Sequence, residues 1–186
     1  AQLTQKLQQK QPQMRTIPVQ PRDTQTFPLS FAQQRLWFLH QLQPETPFYN
    51  VPTAVQVAGP LNVSVLERSL TALCDRHEPL RTVFGLDSNQ LPVQVIQPTS
   101  HWSLEVIDLQ MLAPKEQQQK LEQFKVEIAT TPFDLTQGPL LRTRLLQLAP
   151  ETYILYICIH HIVVDGWALQ LFVQELSVLY QAFRRS

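Results

Sequence analysis

Charge is sparse in this 186-residue chain, and neither sign prevails: 15 basic residues meet 15 acidic ones, and only 16% of residues are charged. Sequence-independent nucleic-acid binding needs a surplus of Lys and Arg to neutralise phosphates, so no nucleic-acid partner is expected. No apolar run approaches the roughly 20 residues that span a bilayer, and no signal-peptide pattern opens the chain. No membrane partner is therefore expected, and the natural location is cytoplasmic. Cysteines are limited to Cys74 and Cys158. Both lack Cys-x-x-Cys spacing and lie in apolar patterns, which marks them as small buried hydrophobes. Cys158, His160 and Asp165 follow no usual zinc spacing and have no evident fourth ligand, so no metal is expected. Internal repeats and coiled-coil heptads are also missing. What remains is an ordinary hydrophobic content of 44%, in a chain long enough to bury a substantial core.

The chemistry concentrates in Ile159-His160-His161-Ile162-Val163-Val164-Asp165-Gly166-Trp167. Before it, Tyr153 to Ile159 is apolar, β-branched and aromatic, the pattern of a buried strand. After it, Leu169, Phe172, Val173, Leu176, Leu179, Tyr180 and Phe183 recur at helical spacing. Two histidines thus stand where a core strand ends, with Asp165 and Gly166 where a helix begins. Strand neighbours point to opposite faces, so His160 and His161 cannot enter one cavity while strand geometry lasts. One is structural, leaving the other for chemistry. A near-neutral imidazole takes a proton from an attacking amine, hydroxyl or thiol, which suits acyl transfer. Asp165 fixes the loop by pairing with an arginine or with backbone amides. Gly166 allows close approach of a ligand, and its N–H near a helix start favours developing negative charge. A lone strand-end histidine is more often a packed core residue. The His-His-x3-Asp-Gly pattern, bracketed by strand and helix, reverses that balance.

Residues 1–26 read as a Gln- and Pro-rich interdomain linker, with Leu3 and Leu7 spaced for one helical turn and an extended course from Pro12. Ser30 and Gln33 form a capping-box pattern opening a helix with Phe31, Leu36, Trp37, Leu39 and His40, ended near Pro44. Trp37 is expected in the core, and Arg35, charged beside that stripe, is expected to have a fixed partner. Tyr49 to Ala58 indicates a strand, with Pro52 pointing to an edge. Asn62 caps a helix carrying Val65, Leu66, Leu70, Leu73 and Cys74, closed by Arg76-His77-Glu78-Pro79. Arg81 to Leu86 and Pro92 to Ile96 form two strands, and Leu104 to Ile107 a short one. Pro114 starts a polar helix to about Thr130, with Leu121, Phe124, Val126 and Ile128 as its buried stripe. Leu140 to Leu148 and Thr152 to Ile159 form a hairpin that delivers the histidines.

His160-His161-x3-Asp165-Gly166 resembles the HHxxxDG motif of condensation domains from nonribosomal peptide synthetases, which share the chloramphenicol acetyltransferase fold. Ser30-Phe31-Ala32-Gln33-Gln34-Arg35-Leu36-Trp37-Phe38-Leu39 is similar to the family's SxAQxRLWxL block, and Arg76-His77-Glu78-Pro79-Leu80-Arg81-Thr82-Val83-Phe84 to its RHExLRTxF block. Pro132-Phe133-Asp134-Leu135 and Gly138-Pro139-Leu140 occur where the family carries a further segment. The resemblance implies an α+β fold, a mixed sheet flanked by helices, with residues 27–186 as the N-terminal lobe of a two-lobed, V-shaped domain. The implied reaction is amide formation between an acyl or peptidyl thioester and an amine, both delivered on phosphopantetheine arms of carrier domains, with no cofactor bound directly. Implied partners are upstream and downstream carrier domains, an adenylation domain and a second lobe absent after Ser186. One lobe by itself is expected to show little or no condensation. His161 and Gly166 are the expected catalytic residues, with Gly166 bordering the pantetheine path. His160 is assigned to packing behind the strand. Asp165 is structural, paired with Arg35, Arg81 or a residue of the absent lobe. The alternatives are a non-catalytic carrier-docking lobe and an acyltransferase using free acyl-CoA. Epimerisation domains share the histidine motif, but the other two blocks look more like those of peptide-bond formers.

Overall fold

The computed structural model describes residues 24–98 and 101–185, so most of the expected linker, including the turn at Leu3 and Leu7, lies outside the described residues. Thr26–Pro28 already forms a strand, β1, which places the start of the folded region just before the expected boundary. The capping box at Ser30 is formed. Gln33 N–H donates to Ser30 Oγ at 3.3 Å, Ser30 N–H donates to Gln33 Oε1 at 2.9 Å, and helix α1 follows as Phe31–Leu42. Strand β2 is Asn50–Ala58. Asn62 Oδ1 accepts from Val65 N–H at 3.1 Å and caps α2, Val63–Arg76. A short 3₁₀ turn, Glu78–Arg81, then takes Arg81 out of the strand expected to contain it. Strands β3 (Thr82–Leu86), β4 (Pro92–Ile96) and β5 (Glu105–Asp108) precede α3, Pro114–Thr130. The hairpin is β6 (Leu141–Ala149) and β7 (Thr152–His160), and α4 is Gly166–Arg185.

The strands build two sheets. One is the mixed sheet, in the order β2-β7-β6-β5, with β5 parallel to β6 and the other pairs antiparallel. Pro52 lies on β2, at the sheet edge, where its missing N–H costs no ladder bond. The second sheet, β1-β4-β3, is antiparallel throughout. Local pattern does not show it, because β1 pairs Thr26 with Val95, far along the chain.

Strand β7 is buried on both faces, which is why its sequence reads as a continuous apolar run rather than an alternation. Tyr153, Leu155, Ile157 and Ile159 pack with Leu66, Leu70 and Leu73 of α2 and Phe172 and Leu176 of α4. Tyr156 and Cys158 pack on the other side with Trp37, Phe84, Leu121, Ile128 and Leu135. Polar ties pin α3 across the sheet: Arg144 meets Glu105 at 2.7 Å and Glu127 at 3.0 Å, and the Tyr156 hydroxyl donates to Leu121 O. Two residues expected in buried stripes are exposed instead, Phe31 and Val126. At about 100° per residue, Val126 sits roughly 140° round the helix from buried Leu121, and Phe31 is similarly turned from Trp37. Burial pushes both thiols up, Cys74 and Cys158 alike to about 11. Among the described residues, no helix is long and apolar enough to cross a membrane.

Gly138 has a φ of 58°, and a Cβ there would stand 2.8 Å from Val83 Cγ1. Gly138→Ala is therefore expected to destabilise the fold by more than about 1 kcal/mol, measured by urea denaturation.

Candidate active site

The two histidines are separated by backbone pairing. His160 N–H donates to Leu140 O at 3.0 Å on the β6 side, and His161 N–H donates to Tyr49 O at 2.8 Å on the β2 side. Extended pairing thus persists through residue 161, and the two side chains leave on opposite faces. The chain then reverses, with Val163 N–H bonded to His160 O at 3.1 Å.

His160 turns inward, only 3% exposed, against the rings of Phe133, Tyr49 and His40 at centroid distances of 6.0, 6.2 and 6.4 Å. Its Nδ1 accepts from Ile162 N–H at 3.1 Å, so the neutral ring carries its proton on Nε2. Burial first, then the neighbouring His40 and His161, push its pKa down to about 4. His40, buried on α1, is also lowered by burial, against the opposing pull of Asp134 and Glu45.

His161 turns outward and is exposed. Its Nδ1 lies 2.5 Å from Val164 O. A carbonyl only accepts, so Nδ1 carries the proton and the neutral ring keeps its lone pair on Nε2. The residue borders an open cleft of about 730 Å³, together with Ser30, Gln33, Arg35, Tyr49, Val163, Val164, Asp165 and Ala168. Tyr49 carries no sequence signal for this position; Gln33 and Val163 stand inside the quoted motifs, but their pattern there does not point to a cleft wall.

Asp165 is the N-cap of α4. Its Oδ1 accepts from Ala168 N–H at 2.7 Å, and its carbonyl accepts from Leu169 N–H at 3.1 Å. Of the two partners open to it, backbone amides rather than an arginine are found. Among the described residues Asp165 has no ion pair, which corrects the expected pairing with Arg35 or Arg81. Arg35 borders the same cleft but is not bonded to Asp165. Arg81, leaving the 3₁₀ turn, donates to Gln97 O at 2.6 Å and lines a different hollow. Gly166 is the first residue of α4, and an added Cβ would meet nothing within 4 Å. Nothing in the described chain requires glycine there.

Two outcomes follow from this arrangement. Unfolded histidine binds a proton near its ordinary value of about 6.5, whereas folded His160 does so only near 4, so the unfolded state holds more protons between these limits. Stability is full above about pH 6.5 and falls as pH drops toward 4, by on the order of 3 kcal/mol from this residue; denaturation across pH should show a shallower fall in His160→Gln. Asp165→Ala should cost about 1 kcal/mol in thermal unfolding, and Asp165→Asn, which still caps, less than that.

Residues 23–186 match the family model described as the condensation domain. One of the linear gramicidin synthase polypeptides of Brevibacillus parabrevis is 48% identical over 166 residues, 89% of this chain and 2% of that polypeptide. Malpinin synthetase of Mortierella alpina is 44% identical over 156 residues, 84% of this chain and 2% of the synthetase. The starter condensation domain of rhizomide synthetase RzmA superposes with a TM-score of 0.78 at 31% identity, covering 87% of this chain and 38% of that one. The first condensation domain of the calcium-dependent antibiotic synthetase does so with a TM-score of 0.74 at 28% identity, covering 86% and 38%. The chain therefore spans well under half of these solved chains and a few hundredths of the synthetases. With a strand that ends in two opposed histidines and a family match over nearly its whole length, the chain belongs to the condensation domain family of nonribosomal peptide synthetases.

Proposed function

We propose that this chain supplies the histidine-bearing wall of a site that joins a carrier-bound acyl or peptidyl thioester to the amine of a carrier-bound acceptor. The observation that supports this most directly is the bond between His161 Nδ1–H and Val164 O, which leaves Nε2 as the acceptor of a side chain that lines the cleft. In the proposed step the acceptor nitrogen attacks the thioester carbonyl while Nε2 receives its proton. The tetrahedral intermediate collapses, the C–S bond breaks, and the proton passes to the departing thiolate. In this reading the backbone amides that open α4, between Asp165 and Ala168 on the cleft wall, are the donors for the oxyanion. His160 acts behind the strand by holding Ile162 N–H and filling the space under the loop.

The partners of this reading are carrier domains presenting phosphopantetheine thioesters, an adenylation domain that loads them, and a second lobe. Residues 27–186 form the N-terminal lobe in this reading, with the preceding stretch as a linker. The cleft is open to solvent, so water competes for Nε2 and the reactants lack an enclosing wall. Positioning and electrostatic terms are weak in such a setting, and the 186-residue chain is expected to condense poorly by itself.

The test is made in the full synthetase, by quenched-flow measurement of amide formation between loaded carriers. His161→Ala should slow the step by about 10²–10⁴-fold with carrier loading unchanged. A rate held within about twofold would remove the proton-transfer role from His161.

A further inference from the structure

The carbonyls that hold the two histidine backbones belong to Tyr49, just before β2, and Leu140, just before β6. Both strand ends are gripped by the segment that leaves α3. Asn50 follows Tyr49 and pairs with His160, and Arg142 pairs with Cys158, so both side chains stand on the inward face at the end of β7. The Asn50 carboxamide donates to Ala129 O at 2.8 Å and to Thr131 O at 2.9 Å. Arg142 donates through Nη1 to the same Thr131 O at 2.8 Å and through Nη2 to Pro132 O at 2.5 Å. One strap of backbone, residues 129–132, is thus bonded to both strands that flank β7, at the level where β7 runs out. The strap needs such donors, since the last carbonyls of a helix have no partner within it and a helix C-terminus favours positive charge. It leads directly into Phe133, whose ring centroid lies 3.7 Å from Arg142 Cζ and whose plane meets His160 edge-on. Asn50 Oδ1 is buried without a partner among the described residues, so this carboxamide serves the strap only as a donor. A carboxylate of the same shape has no proton to give and could not take its place.

We propose that Asn50 and Arg142 are positioning residues for His161, a clamp that fixes the ends of β2 and β6 and thereby the histidine pair held between them. Neither lies in the histidine motif, and neither lines the cleft. The proposal rests on the proton-transfer reading of His161 and adds what aims its ring. Without the clamp the carbonyls of Tyr49 and Leu140 gain freedom, and the imidazole spends less time where an amine can pass it a proton. A misplacement of about 1 Å at a reacting group is worth roughly 10²-fold in rate. Arg142 acts through its planar fork, because a lysine ammonium offers no matched pair of donors and stacks poorly on a ring.

The experiment compares Asn50→Asp and Arg142→Lys in the full synthetase, each with His161 present and each combined with His161→Ala. Amide formation between loaded carriers is followed by quenched flow, and backbone exchange from Tyr156 to Val164 by hydrogen–deuterium mass spectrometry. Each clamp variant should slow amide formation by roughly 10- to 100-fold when His161 is present. In the His161→Ala background the same change should cost no more than about twofold, because a positioning residue acts only through the group it positions. Exchange at His160 and His161 should quicken, with carrier loading unchanged. Asn50→Ala brings no charge to the strap carbonyls and serves the same cycle where Asn50→Asp fails to fold. Equal slowing in both backgrounds would mark a merely structural role and overturn the proposal, as would rates held within about twofold in both clamp variants. An unaltered rate in His161→Ala alone would bear on the proton-transfer reading, whereas unaltered exchange in both clamp variants would sink the clamp whatever His161 does.

Discussion

The amide of His161 donates to the carbonyl of Tyr49, one residue past the last residue of β7. That bond carries extended geometry to the very residue where the chain is about to turn. Adjacent side chains must then oppose one another, and the rest of the site follows from that constraint. His160 is driven under the sheet into a cage of aromatic rings, where a charge would be costly. His161 is driven into the cleft, where its outer nitrogen meets solvent. A slip of one residue in the β2–β7 register would exchange the two roles.

The turn after the strand is held from several directions at once. His160 Nδ1 accepts the amide of Ile162, the carbonyl of Val164 holds the His161 ring, and Asp165 caps the helix that follows. Each is a local bond between residues at most three apart, so the spacing of the motif is itself geometric. Three residues between His161 and Asp165 allow the chain to reverse, return a carbonyl to the imidazole, and enter α4. The carboxylate serves the helix amides rather than an arginine of the described chain, which makes its role one of loop placement.

The loop inherits its rigidity from the strand behind it. β7 is covered on both faces, by α2 and α4 on one side and by α3, α1 and the second sheet on the other. Its two flanking strands supply hydrogen bonds along its whole length. A side chain at the end of such a strand loses little precision to backbone motion, which is what an imidazole that must meet a transient geometry requires.

Much of this was legible in the sequence, and for a common reason. The capping box at Ser30 and Gln33, the Asn62 cap, the hairpin around Pro150 and the run from Tyr153 to Ile159 are short-range patterns, decided by residues within one turn or one strand of each other. The opposition of His160 and His161 was legible too, since strand alternation needs no knowledge of the partner strand. Tertiary packing decided the rest. It split the strands into two sheets, because β1 meets β4 across nearly 70 intervening residues. It turned Arg81 away from Asp165 by folding Glu78–Arg81 into a 3₁₀ turn, and it placed Tyr49 and Val163 on the wall of the cleft. Residue type and spacing determine which hydrogen bonds and faces are available within a segment; only the arrangement of distant segments determines which of them meet.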